Sequence, residues 1–192
     1  MNKKQSEILK SGRALFWKHG FRRVSVEEIC KAAAVSKMTF YRYYPDKTTL
    51  AKAVYDAEVE KGLLKFKEIM QSASTAAEKM ENLLRIKSEA ADDISKEFLN
   101  DFYADETYGL KQYIAEKTAT SWEEIVNDYK AAQERGDFRK DFKPEVFLYL
   151  SQKFAELLND AYFMQLCGGP QEAVMEMTKF FTYGISPYPC KE

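Results

Sequence analysis

Apolar side chains recur along this chain at spacings of three and four, the period of an α-helix that buries one face. Ile8, Leu9, Leu15 and Phe16 share such a face, and the spacing predicts a helix from Gln5 to His19 that Gly20 ends. Ser25 with Glu28 has the form of a capping box, in which the serine oxygen accepts from the Glu28 amide and the carboxylate reaches back. It opens a second helix whose buried face is Val26, Ile29, Cys30 and Ala33. After a short turn at Ala34-Val35-Ser36, Ser36 caps a third helix, Lys37 to Tyr44, which Pro45 terminates. Asp46 caps a fourth helix that runs to about Met70.

Longer helices follow, at Thr75–Ala91, Ile94–Ala104, Glu106–Arg135, Pro144–Cys167 and Pro170–Tyr183. The third of these breaks near Thr118–Ser121, where Ser121 reads as a cap, and Gly136 closes it. Pro144 and Pro170 suit first-turn positions, and Gly168-Gly169 makes the turn between the last two helices. No period-2 run stands between turn signals, so the expected fold is all-α. A small amino-terminal domain of three helices spans residues 1–50, and a larger helical domain spans 51–192.

Hydrophobic residues make up 45% of the chain and charged residues 31%, ordinary proportions for a globular protein. No apolar run approaches the roughly 18 residues that span a bilayer. The amino terminus has no apolar stretch of the kind a secretory signal carries, which makes the cytoplasm the expected location and a membrane partner unexpected. The three cysteines, Cys30, Cys167 and Cys190, fit neither a disulfide framework nor a metal-binding pair. With a single histidine, His19, the chain offers no metal site and no Ser-His catalysis, and no cofactor motif is present. The net charge of −1 hides an asymmetry. The first fifty residues hold eleven Lys and Arg against four Asp and Glu, a surplus of seven, while the remainder carries a deficit of eight. A basic surplus confined to one small segment is the footprint of a polyanion partner.

Residues 25–44 then take on a specific meaning. Two short helices joined by a tight turn make a helix-turn-helix, whose second helix presents its outward residues to the DNA major groove. Lys37 and Arg42 supply charge there, and Thr39, Tyr41 and Tyr43 supply hydroxyls for phosphate oxygens or base edges. Phe40 faces inward with Val35 and Ile29. Lys47, at the start of the fourth helix, joins an ammonium to a positive helix terminus and reads as a phosphate clamp.

The run from Ile8 to Val54 resembles the DNA-binding domain of the tetracycline-repressor (TetR) family. The matching positions are Gly20-Phe21, Ser25-Val26, Ile29, Val35-Ser36-Lys37, Thr39, Tyr41, Lys47 and Leu50. Ala34 and Met38 stand where the family usually has glycines, Tyr43 and Tyr44 replace its usual His-Phe, and Phe40 replaces a leucine. The resemblance implies that Ser36, Lys37, Thr39, Tyr41, Tyr43 and Lys47 contact double-stranded operator DNA. It also implies a carboxy-terminal domain that dimerises through its last two long helices and holds a small-molecule effector. The apolar faces of those helices give Phe154, Leu157, Val174, Met177, Phe180 and Phe181 as the homodimer interface. The aromatic residues of the middle helices, Phe98, Phe102, Tyr103, Trp122 and Tyr129, are the candidate lining for a mostly apolar effector. The leading reading is a one-component regulator, a repressor released from an inverted repeat by its ligand. The alternative is a helical small-molecule binding protein or enzyme with a vestigial DNA-binding domain.

Overall fold

Helix caps set the element boundaries. The computed structural model describes residues 2–91, 94–104 and 106–187; the side chains of 76, 77, 80, 87, 88, 90, 91, 151, 152, 154, 155 and 159 are not among those described. The helices are α1 (Lys3–His19), α2 (Val26–Ala32), α3 (Lys37–Tyr43), α4 (Lys47–Gln71), α5 (Ala76–Ala91), α6 (Lys96–Leu99), α7 (Leu110–Thr120), α8 (Trp122–Arg135), α9 (Pro144–Ala155), α10 (Ala161–Cys167) and α11 (Pro170–Gly184). A π-helical turn, Asn100–Ala104, follows α6, and a 3-10 turn, Glu156–Asn159, follows α9. No strand occurs among the described residues, so the fold is all-α. Nor is any described helix long and apolar enough to cross a membrane.

Short-range signals explain most of these boundaries. Asn2 starts α1 by accepting from the Gln5 amide at 3.2 Å, so this helix begins two residues before the periodic pattern does. Thr75 and Glu78 form a second capping box at α5, with Thr75 N donating to the Glu78 carboxylate at 2.8 Å. Gly136 ends α8 in the left-handed region at φ 81°. Ser121 does take the N-cap position of α8, but its side chain accepts no hydrogen bond from the helix.

Three expected helices are divided or shortened. Ile94–Ala104 becomes a four-residue α6 and the π turn. Glu106–Arg135 begins only at Leu110, and it breaks at Ser121 as its sequence predicts. Pro144–Cys167 gives way at Glu156, and Asp160 caps a new helix by accepting from the Phe163 amide at 2.7 Å. An Asp or Asn inside an apolar repeat competes for backbone donors and favours a fresh start.

The chain forms two compact units, Met1–Glu60 with Asp93–Lys117, and Lys61–Asp92 with Thr118–Glu192. The sequence boundary at residue 50 therefore differs from the packing boundary. Rings account for the difference. Phe98 and Phe102 are buried against α1, with Trp17 and Phe98 ring centroids 4.2 Å apart and Phe16 and Phe102 centroids 6.2 Å apart. The Ser95 amide adds a 3.0 Å bond to the Trp17 carbonyl. The core of this first unit also takes Ile8, Phe21, Ile29, Phe40, Leu50 and Val54. Gly12 lets α1 and α4 approach, since a Cβ there would lie 3.0 Å from Leu50 Cδ2.

In the second unit Met70, Leu83, Tyr129, Ala132, Phe138 and Ile185 form the buried centre, ringed by Phe66, Phe142 and Phe147. Gln133 is buried among them and donates through its amide to the carbonyls of Arg139 at 3.0 Å and Phe142 at 2.9 Å. It satisfies the loop between α8 and α9 where no helix can.

Candidate nucleic-acid interface

The capping box closes as its sequence demands. Glu28 N donates to Ser25 Oγ at 3.2 Å, and Ser25 N donates to the Glu28 carboxylate at 2.8 Å. At the other end of α2, Val35 N donates to Cys30 O at 3.0 Å and Ala34 N to Lys31 O at 3.3 Å. This pair of bonds is a Schellman turn, which puts the residue after the cap into the left-handed region. Here that residue is Ala34, at φ 50°, the one described non-glycine residue with positive φ. An L side chain in this conformation costs about 1–2 kcal/mol. Replacement by glycine removes that strain but gives back roughly 0.5–1 kcal/mol of unfolded-state entropy. Ala34→Gly should therefore stabilise the protein by about 0.5–1 kcal/mol, read as a higher urea midpoint with the slope unchanged. A lower midpoint would show that the turn is not left-handed.

Ser36 then starts α3, its hydroxyl accepting from the Thr39 amide at 3.1 Å and lying 3.0 Å from the Thr39 hydroxyl. The inner face of α3 is locked by Phe40, which is fully buried, and Tyr44 seals the exit. The outer face carries Lys37, Met38, Tyr41 and Arg42, all exposed. Tyr43 is half-buried and its hydroxyl accepts from the Asn2 side-chain amide at 2.5 Å. Of the expected DNA contacts, Lys37, Tyr41 and Arg42 stand free of the core, while Ser36, Thr39 and Tyr43 already serve as caps or braces. Lys37 is joined at 2.8 Å to Glu27 of α2, which the sequence reading had passed over.

Lys47 turns its ammonium inward. Its ammonium donates to the carbonyls of Phe21 at 2.7 Å and Val24 at 2.8 Å, reaches Arg22 O at 3.4 Å, and lies 4.2 Å from the Phe21 ring centroid. All three N–H donors are thus directed at the α1–α2 loop rather than outward, and burial pushes the Lys47 pKa down. Lys47 positions this loop. Asp101, from the π turn, grips the same loop from its donor side. The carboxylate accepts from Arg22 N at 2.8 Å and pairs with Arg22 Nε at 3.5 Å. Gly20 makes the approach feasible, because a Cβ there would lie 2.6 Å from Asp101 Oδ2 and 2.8 Å from Glu97 Cβ. A cation on the carbonyls and an anion on the amide leave the loop before α2 little freedom.

Residues 8–54 match the family model described as bacterial regulatory proteins, tetR family. The amino-terminal domain belongs to the TetR family. The chain is 28% identical over 86 residues to the HTH-type transcriptional regulator UidR of Escherichia coli K12, an overlap of 45% of this chain. It thus spans 44% of the length of that curated relative. Among solved structures, the fatty acid degradation regulator FadR from Bacillus halodurans superposes with a TM-score of 0.71 at 18% identity, covering 96% of this chain and 97% of that one. FadR from Bacillus subtilis in complex with stearoyl-CoA gives a TM-score of 0.64 at 15% identity, covering 94% and 98%. At these identities the two structures speak to the fold alone.

Beyond the TetR-family domain the residues read as functional are dispersed. Phe98 and Phe102 lie in the core of the first unit, 2% and 0% exposed, with Tyr103 half-buried beside Phe98. Trp122 and Tyr129 belong to the second unit, where Trp122 is half-buried at the start of α8. Tyr129 is packed between Phe66, Phe138 and Phe147 at 5.2–5.5 Å. Of the expected interface residues, Phe180 is 66% exposed on α11 and Leu157 is exposed in the 3-10 turn. Val174, Met177 and Phe181 are half-buried, with Phe181 set edge-on to Phe147 at 5.3 Å. The Phe154 side chain and Cys190 lie outside the described residues. Tyr162 and Leu166 on α10 and Tyr183 on α11 are exposed as well.

Proposed function

We propose that this protein is a one-component transcriptional regulator of the cytoplasm. Two copies bind an inverted-repeat operator, each through its α3, and release it when a small, mostly apolar effector binds. The observation that carries this reading is the first unit. It holds a TetR-family helix-turn-helix whose third helix exposes Lys37, Tyr41 and Arg42 over a locked apolar face. The basic surplus of the first fifty residues supports it, because phosphate attraction supplies much of the affinity for DNA. Exposed Leu166, Phe180 and Tyr183 on α10 and α11 support a homodimer, since apolar patches of this kind mark interaction surfaces. The stearoyl-CoA complex of a protein with the same fold supports an effector with an apolar chain.

The test is titration of the protein against DNA flanking its own gene at several salt concentrations. Affinity should fall steeply with salt, and protection should cover two half-sites about one helical turn apart. A library of apolar compounds should contain molecules that lower DNA affinity roughly 5- to 150-fold. Such a molecule must favour the DNA-free conformation, because equal affinity for both shifts nothing. Trp122→Ala should blunt that release and leave DNA binding intact. Salt-independent binding, or none to any inverted repeat, would count decisively against the reading.

A further inference from the structure

Glu27 is an acid on a surface otherwise suited to a polyanion. Its side chain is 76% exposed in the first turn of α2, one residue before the Glu28 that closes the capping box. The cap therefore does not require it. Its carboxylate lies 2.8 Å from the ammonium of Lys37, the first residue of α3. Lys37 holds the Glu27 carboxyl below its ordinary pKa, and Glu27 raises that of Lys37, so both stay charged near neutrality. The pair has no net charge and adds nothing to phosphate attraction. What it does present is a donor and an acceptor, side by side, at the end of α3 that enters the groove in a helix-turn-helix.

The G·C pair offers the complementary pattern with two acceptors for the ammonium, where T·A offers one acceptor beside a methyl group. On the major-groove edge of G·C, the guanine O6 and N7 only accept, and the adjoining cytosine N4 amino group only donates. O6 and N4 are hydrogen-bonded to each other, so they sit about 3 Å apart, the spacing of the Lys37–Glu27 pair. We propose that Glu27 and Lys37 act together as a specificity element that reads one G·C pair in each half-site, Lys37 donating to guanine and Glu27 accepting from cytosine. The carboxylate also excludes thymine, whose O4 would face it acceptor to acceptor. This inference rests on the DNA-binding reading above and deepens it.

The experiment is selection from a random DNA library with the full chain, run in parallel for wild type, Glu27→Ala and Glu27→Gln. Wild type should enrich one G·C pair in a fixed place in each half-site. Glu27→Ala should lose roughly tenfold discrimination at that pair alone and bind unrelated DNA more tightly, because a repelled carboxylate is gone. Glu27→Gln should move the preference there toward adenine, the base that pairs with an amide. Both variants should keep the wild-type melting temperature, since the side chain is exposed. A wild type that selects sequence while Glu27→Ala keeps every preference overturns this inference alone. Affinity lost uniformly across all sequences overturns it too. A wild type that selects nothing overturns the regulator reading along with it.

Discussion

Asp137→Ala should destabilise the second unit by about 3–5 kcal/mol, the largest loss expected of any single change here. The Asp137 carboxylate accepts from Lys79 Nζ at 2.7 Å and from Arg135 Nε at 3.0 Å. Lys79 is 1% exposed. The same two cations reach the carbonyl of Met70, with Lys79 at 3.4 Å and Arg135 Nη2 at 2.5 Å, and so cap the end of α4. One carboxylate therefore balances two cations beside the buried Met70 side chain. Without it, Lys79 Nζ is left in a desolvated place with a single long carbonyl bond. The penalty is the stranded ammonium rather than the lost attraction, and this distinction can be measured. In Lys79→Met/Asp137→Ala the buried charge is also gone, so most of the lost stability should return. Urea unfolding of wild type, Asp137→Ala and the double variant decides the matter. A loss under 1 kcal/mol for Asp137→Ala, or no recovery in the double variant, would show that the pair is not effectively buried.

What the sequence conveys here is chiefly what is local. Ser25 with Glu28, Ser36, Asp46, Gly136, Pro144 and Pro170 each act within four residues of themselves, and each stands at the helix end its chemistry predicts. The pairing of Phe98 and Phe102 with α1 is a contact across some eighty residues, and no periodicity encodes it. Phe98 and Phe102, two rings of the aromatic stripe, pack on Trp17 and Phe16 where residues 94–104 join the first unit. The carbonyl partners of Lys47 are hidden for the same reason. A lysine opening a helix in a basic segment looks like a phosphate ligand, and the carbonyls that hold it belong to a loop more than twenty residues earlier. Glu27 was hidden by its neighbour. Beside a capping-box glutamate it passes for helix-start charge, and only its distance to Lys37 separates the two roles. The break at Glu156–Asn159 did have a local signal, in Asn159-Asp160, but the apolar repeat on either side outweighed it.

Phe180→Glu should convert the protein from a dimer to a monomer, and its operator affinity should collapse with it. In the single chain Phe180 is 66% exposed, so a carboxylate there costs the monomer little and the fold should persist. That exposure is itself the motive for placing a second copy over α10 and α11, where Tyr162, Leu166 and Tyr183 are each at least 63% exposed. In a twofold interface one substitution enters twice, and each copy buries an unpaired charge. At several kcal/mol apiece, the dimer dissociation constant should rise by about 10³-fold or more. A monomer grips one half-site only, and it loses the advantage that linkage gives the second, on the order of 10²- to 10⁴-fold in affinity. Sedimentation velocity should show a species of half the wild-type mass with unchanged helicity, and operator titration should show the loss. Leu166→Lys, on the neighbouring helix, should do the same by the same argument. A Phe180→Glu protein that sediments as a dimer and still binds DNA would move the interface elsewhere on the second unit. A monomer with wild-type operator affinity would remove dimerisation from the mechanism altogether.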